Sequence, residues 1–288
     1  MNAKISKSKA HRQKRAAFTC VELLVVIGTL AVLSVILLPA LASSKPNGIV
    51  FQCLENQRRL AQAFVLYPND NNGAIVPFET MDGYIQPSSI NWNITGESAG
   101  LSLQYFQACV NSAANLLYPY GANVKTVHCP GDIRYKNIPG QHWAYDSYSK
   151  TDNVGGENYA GYWGQGATYT NLSQVTVASH TFAFMEDVSS RSYNAGTWVV
   201  NWNLNTPQFG HAESFTWTDP IPMYHGNVTT AAFVDGHAEF HKWADIKPIQ
   251  YGLSVAGGTT IFNPPNPPNQ GPDYDYVYQN FRFPGWQP

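Results

Sequence analysis

The chain has little charge: only 12% of its 288 residues are Asp, Glu, Lys or Arg, and no acid precedes Glu22. Its four cysteines contain no CxxC pair, which argues against a structural zinc site built on cysteines alone. G-x-S-x-G, a Gly-rich phosphate loop and HExxH are all missing. These strings mark a nucleophile elbow, a nucleotide cradle and a zinc hydrolase, so no motif points to an enzyme. The acids Glu186 and Asp187 are adjacent rather than facing, a weak basis for paired acid–base work. No internal repeat is visible, which leaves no basis for a solenoid.

What is present is apolar and aromatic. Hydrophobic residues make up 44% and aromatics 14%, beside 23 Gly and 19 Pro. Such a chain can bury a sizeable core and leans towards strands and loops. Lys4, Lys7, Lys9, Arg12, Lys14 and Arg15 are six of the 17 cations, leaving 11 against 19 acids, a formal −8. An acidic remainder argues against nucleic acid as a partner. The basic start reads better as the cytoplasmic flank of a membrane segment.

Residues 23–42 (LLVVIGTLAVLSVILLPALA) carry no charge. Twenty helical residues span about 30 Å, the thickness of the hydrocarbon core. The pattern predicts one membrane-spanning helix, N-terminus inside, with an extracytoplasmic body. Glu22 at its start is a functional-site candidate, because a carboxylate beside such a helix costs a few kcal/mol unless paired. SSKPNG then predicts a hinge over 43–50. A second helix is predicted from Phe51 to Tyr67, with Leu54, Leu60, Ala61, Phe64 and Val65 at helical spacing. Pro68 and Asn69-Asp70-Asn71-Asn72-Gly73 end it. Beyond residue 74, short runs such as TFAFMEDV and TTAAFV predict short strands between long loops. Residues 256–288 read as a Pro/Gly/Asn-rich arm, in which DYDYVYQNFRF could add an edge strand.

Asp235-Gly236 predicts a type I′ hairpin turn, with positive φ at both residues. That register sets Ala232 opposite Glu239 and Thr230 opposite His241, and sends Phe233, Ala238 and Phe240 into the core. His237, Glu239 and His241 then alternate along one face, and such a set can ligate zinc with His225 or His211 as a fourth group. A solvated polar face is the favoured reading, since the ends of a five-residue strand lie far apart for one ion. Asp70, Asn72 and Asp82 offer oxygens of the kind calcium prefers, although a helix-ending turn explains the first two more simply. A different processing route is also open: Ala40-Leu41-Ala42 is an A-x-A site. Signal peptidase acting after Ala42 would release an exported surface module, either metal-binding or carbohydrate-binding through aromatics such as Trp198, Trp202 and Trp217.

Around residue 17 the chain reads KRAAFTCVELLVVIGTL, which resembles the prepilin cleavage/methylation signature. FQCLENQRRLAQAFVLYPNDNNGAIVP (51–77) and VHCPGD (127–132) resemble later segments of one large family of prepilin-type proteins. YHGNVTTAAFVDGHAEFHKW (224–243) resembles that family's C-terminal hallmark, H-X9-DG, with nine residues between His225 and Asp235-Gly236. The matches keep the family's order from residue 15 to 243, and the family is similar to the pseudopilins of type II secretion. Two departures are visible: leaders in the family usually end in Gly rather than Ala17, and relatives continue the helix where SSKPNG stands here.

The resemblance implies cleavage between Ala17 and Phe18 by a prepilin peptidase, and N-methylation of Phe18. It implies that Glu22 meets the α-amino group of a neighbouring subunit. It also implies a Cys53–Cys129 disulfide, since these two cysteines and not Cys109 fall in Cys-bearing segments. Pseudopilins sometimes carry structural calcium. The expectation is therefore an α+β, pilin-like fold: an N-terminal membrane-spanning helix, and a second helix packed on an antiparallel β-sheet with long loops. Its parts are a basic leader (1–17), an assembly helix (18–42), a hinge (43–50), a body (51–255) and an arm (256–288). The expected role is a non-enzymatic subunit of a pilus or pseudopilus, minor or accessory. The subunit would be anchored in the inner membrane or carried in a surface filament, and no cofactor is required, though calcium or zinc would fit.

Overall fold

The computed structural model describes residues 19–86, 98–157, 168–188, 194–202, 215–258 and 271–286, and the backbone alone at 34–47, 201–202 and 216–217. The leader, the Ala17–Phe18 bond and His211 lie outside the described residues. The chain divides into two compact units, one ending at Lys45 and one beginning at Pro46.

The first helix, α1, is assigned as a single element from Cys20 to Asp70. This corrects the predicted break over 43–50 between two helices: the helical assignment passes through Pro46 and Gly48. A proline within a helix removes one hydrogen bond and strains one turn, which bends a helix more readily than it ends one. The boundary between the units nevertheless falls inside the same string, between Lys45 and Pro46. Among the described residues no helix is long and apolar enough to cross a membrane. The predicted span 23–42 has described side chains only as far as Leu33. In the first unit every position from Val21 to Leu33 is exposed.

The second unit is α+β. After α1 come α2 (Ala99–Val110), β1 (Tyr148–Lys150), β2 (Phe182–Glu186), β3 (Val200–Trp202), β4 (Phe215–Trp217), β5 (Val228–Phe233), β6 (Ala238–Lys242), α3 (Ile246–Ala256) and α4 (Pro272–Asn280). Four strands form an antiparallel sheet in the order β1-β2-β5-β6, and β3 pairs with β4 separately. The body-side part of α1 buries Cys53, Leu60, Ala61 and Phe64 in one core with Tyr148, Phe184 and Ala232. Phe182, Met185, Ala231 and Phe233 enter a second core with Trp243, Tyr251, Tyr274 and Val277 from the C-terminal segments. The central strands are thus covered on both faces, so β2 is buried along its whole length and shows no polar alternation. A bulge between Phe182 and Phe184 shifts the β2–β5 register.

Two predicted details are corrected. The β5–β6 hairpin pairs Ala232 with Ala238, Ala231 with Glu239 and Thr229 with His241, one residue away from the predicted register. Gly236 N–H donates to the Phe233 carbonyl at 3.0 Å, and of Asp235 and Gly236 only Gly236 has positive φ (92°). The turn is therefore a type I turn followed by a left-handed glycine rather than type I′, and the extra loop residue moves the register. Phe240 consequently faces outward, 55% exposed, instead of joining Phe233 in the core. The segment predicted as an edge strand is α4. Pro272 opens it, and Tyr274 and Val277, three apart, are its buried apolar positions.

Candidate functional site

Glu22 has a local partner. Its Oε2 accepts the Thr19 N–H at 2.8 Å and the Thr19 hydroxyl at 2.9 Å, while Thr19 Oγ1 accepts the Glu22 N–H at 3.2 Å. This is a reciprocal capping box, which satisfies two N-terminal amides of α1. Thr19-x-x-Glu22 is the sequence signal of that box.

The body holds a denser constellation. Cys53, Cys129, Glu186 and His225 place one ligating atom each within 4.8 Å of one another. Both cysteines and Glu186 are fully buried, and the His225 side chain is 1% exposed. Four separate segments supply them. Cys53 lies on the buried face of α1 with Leu60 and Phe64, seven and eleven positions further along it. The same helix is tied to the other contributors: Asn56 Nδ2 donates to the His128 carbonyl at 2.9 Å, and Gln57 Nε2 to the Thr230 carbonyl at 3.2 Å.

Cys129 heads the turn Cys129-Pro130-Gly131-Asp132. Gly131 N–H donates to Cys129 Sγ at 3.4 Å, and the Cys129 N–H donates to Ser147 Oγ at 3.0 Å. Ser147 in turn donates to Asp132 at 2.8 Å, and Asp132 pairs with buried Arg134 at 2.7 Å. A Cβ on Gly131 would stand 2.7 Å from the Tyr224 carbonyl, so only glycine lets this turn pack against the residue before His225.

Glu186 ends β2 opposite Tyr148. Its Oε1 accepts from Thr230 N–H at 3.0 Å and Thr230 Oγ1 at 2.6 Å, and contacts His225 Nε2 at 3.1 Å. Glu186 Oε2 and His225 Nδ1 are buried with no hydrogen bond. Buried polar atoms left so cost about 1–3 kcal/mol each. Burial disfavours a charged imidazole, but the Glu186 carboxylate outweighs it and His225 is pushed up to about 10. Burial pushes the Cys129 thiol up. Burial and the nearby Cys129 and Cys53 sulfurs likewise raise Tyr148, whose hydroxyl lies against Cys53. A cysteine beside a histidine suggests a nucleophile, yet a reactive thiol needs access and a depressed pKa. This one has neither.

The resemblance-based pairing of Cys53 with Cys129 was right about proximity and is corrected in chemistry: both are free thiols. His225 of H-X9-DG belongs to the cluster. Asp235 and Gly236 instead shape the hairpin turn, where Asp235 Oδ1 accepts the His237 N–H at 3.1 Å.

The other expected sets are not assembled. His237 contacts Asp235, whereas His241 Nε2 contacts Asp273 Oδ1 at 2.8 Å and stacks on Tyr276 at 3.9 Å. Glu239 lies beside the Tyr276 hydroxyl. The shifted register and the arrival of α4 give each its own neighbour. Asp70 accepts from Tyr120 at 3.1 Å, and Asn72 occupies a left-handed turn with φ 54°. Asp82 is fully buried, its carboxyl raised by that burial and by Asp146. Among the described residues, the Cys53–Cys129–Glu186–His225 group alone gathers three or more potential metal ligands. In the sequence Glu186 stands beside Asp187, and nothing local shows that its partners are Thr230 and His225. The signal that could have found the set is the coincidence of both Cys-bearing segments with the H-X9-DG histidine.

No family model matches the chain, and no curated protein or solved structure matches it either.

Proposed function

We propose that the chain is a non-enzymatic, pilin-like (pseudopilin-type) subunit, held in the inner membrane by its N-terminal helix and then packed into a pilus or pseudopilus. One observation carries the reading: the exposed apolar surface of α1 from Val21 to Leu33, in which Glu22 is the one charged residue. Val21 is 68% exposed, Leu24 63% and Val32 62%. Apolar surface this continuous demands a cover of lipid or of like helices. The six leading cations supply the expected cytoplasmic flank. The capping box supports the same reading, because it starts a helix where a mature chain beginning at Phe18 needs one. Prepilin peptidase and neighbouring subunits are the partners this role requires.

Glu22 then serves twice, capping its own helix and pairing a neighbour's α-amino group. Glu22→Gln keeps a capping oxygen and removes the charge. Expected in cells is normal membrane retention of this variant, with loss from the sheared filament fraction. Wild-type levels of the variant in filaments would contradict the charge-pairing role.

A further inference from the structure

The geometry points to a closed, structural zinc site made by Cys53, Cys129, Glu186 and His225 in the body. This does not rest on the filament reading, since all four residues lie in the second unit.

Two thiolates, one imidazole and one carboxylate make a tetrahedral donor set suited to zinc. At zinc's bond lengths the edges of such a tetrahedron are roughly 3.3–3.8 Å. The ligating atoms already lie within 4.8 Å, so closure asks for side-chain adjustment only. A disulfide would use the two sulfurs and leave Glu186 Oε2 and His225 Nδ1 buried without partners. A metal ion engages all four at once.

The surroundings are arranged for anions. Cys129 Sγ receives the Gly131 N–H at 3.4 Å, and Glu186 Oε1 receives two bonds from Thr230. Cys129 and Glu186 therefore each have a donor outside the ligand set. Such donors offset the net −1 that two thiolates, a carboxylate and a neutral histidine leave on a zinc ion. With His225 Nε2–H directed at Glu186 Oε1, its Nδ1 is the atom left to ligate. No fifth position opens to solvent, so the ion fastens α1 to the end of β2 and to two loops rather than activating water.

The test uses the full chain, extracted from membranes without chelator or reductant. Expected is roughly one zinc per chain by elemental analysis, falling to background in Cys129→Ser and His225→Ala. After chelation, cobalt(II) added to the wild-type chain should give thiolate-to-metal charge-transfer and tetrahedral d–d bands that zinc then bleaches. This second readout needs no variant to fold. A Cys53–Cys129 disulfide in non-reduced peptide maps overturns the proposal. So does cobalt binding without thiolate bands, or another transition metal at full occupancy in place of zinc.

Discussion

The two units handle a charge-poor sequence in opposite ways. The first exposes its apolar side chains, from Val21 to Leu33, and satisfies its polar groups locally, Thr19 with Glu22. The second buries polar groups and satisfies them within the fold, at sequence separations from two residues to 74. Arg134 pairs with Asp132 and donates to the Asp146 carbonyl at 2.6 Å, and Lys150 Nζ donates to the carbonyls of Val76 and Gly155, each at 2.7 Å. Scarce charge is therefore no guide to where charge sits. In the body several charges are internal, among them Asp132, Arg134, Lys150 and Glu186, and they fix irregular loops that few strands support, whereas the polar groups at the start of the N-terminal helix are satisfied within one turn.

Breaking the body's network should have the largest effect. Asp132→Ala leaves Arg134 buried and unpaired, and the expected loss is about 3–5 kcal/mol in chemical denaturation of the body. An unchanged midpoint would mean that the network is ornamental. Lys150→Met should cost about 3 kcal/mol at neutral pH, since its carbonyl acceptors lose their donor. Burial lowers Lys150 to about 7, against the partial opposition of Asp152. Above that value the folded chain sheds a proton that the unfolded lysine keeps to about 10.4, so the wild type gains stability as pH rises. The gap between wild type and variant should widen from pH 7 to pH 9, and a gap that narrows would reverse the assignment.

Leu33→Arg turns to the other unit. It should disfavour membrane insertion by about 3 kcal/mol, read as loss from the membrane fraction, and leave body unfolding within about 0.5 kcal/mol of wild type. The smallest effect belongs to Phe240→Ser. With its ring outward, the expected change is within about 0.5 kcal/mol, whereas the predicted core placement would have required several.

Local features were legible in the sequence where local physics decides them. The apolar spacing of Leu60, Ala61 and Phe64 gave the buried face of α1, and Val228–Phe233 gave a strand. Asp235-Gly236 marked a turn correctly, but turn type depends on whether one residue or two adopt positive φ, and that choice reversed the facing of Phe240. DYDYVYQN alternates on paper because its tyrosines satisfy both periods, and only the apolar face of the sheet selects the helix. The Cys/Cys/Glu/His cluster was half legible. Its members lie up to 172 positions apart, between Cys53 and His225, and no spacing rule links a helix, a strand end and two loops that meet only in the fold. Glu186 in particular reads as the polar end of a strand until Tyr148 and Thr230 are set beside it.

The identity of the mature N-terminus tests the assembly role most directly. Mass spectrometry of the chain recovered from the cell envelope should find a first residue Phe18 carrying an N-methyl group. A chain beginning at Ser43, cut after Ala42 and lacking the apolar helix, would contradict the account and make this protein a released module.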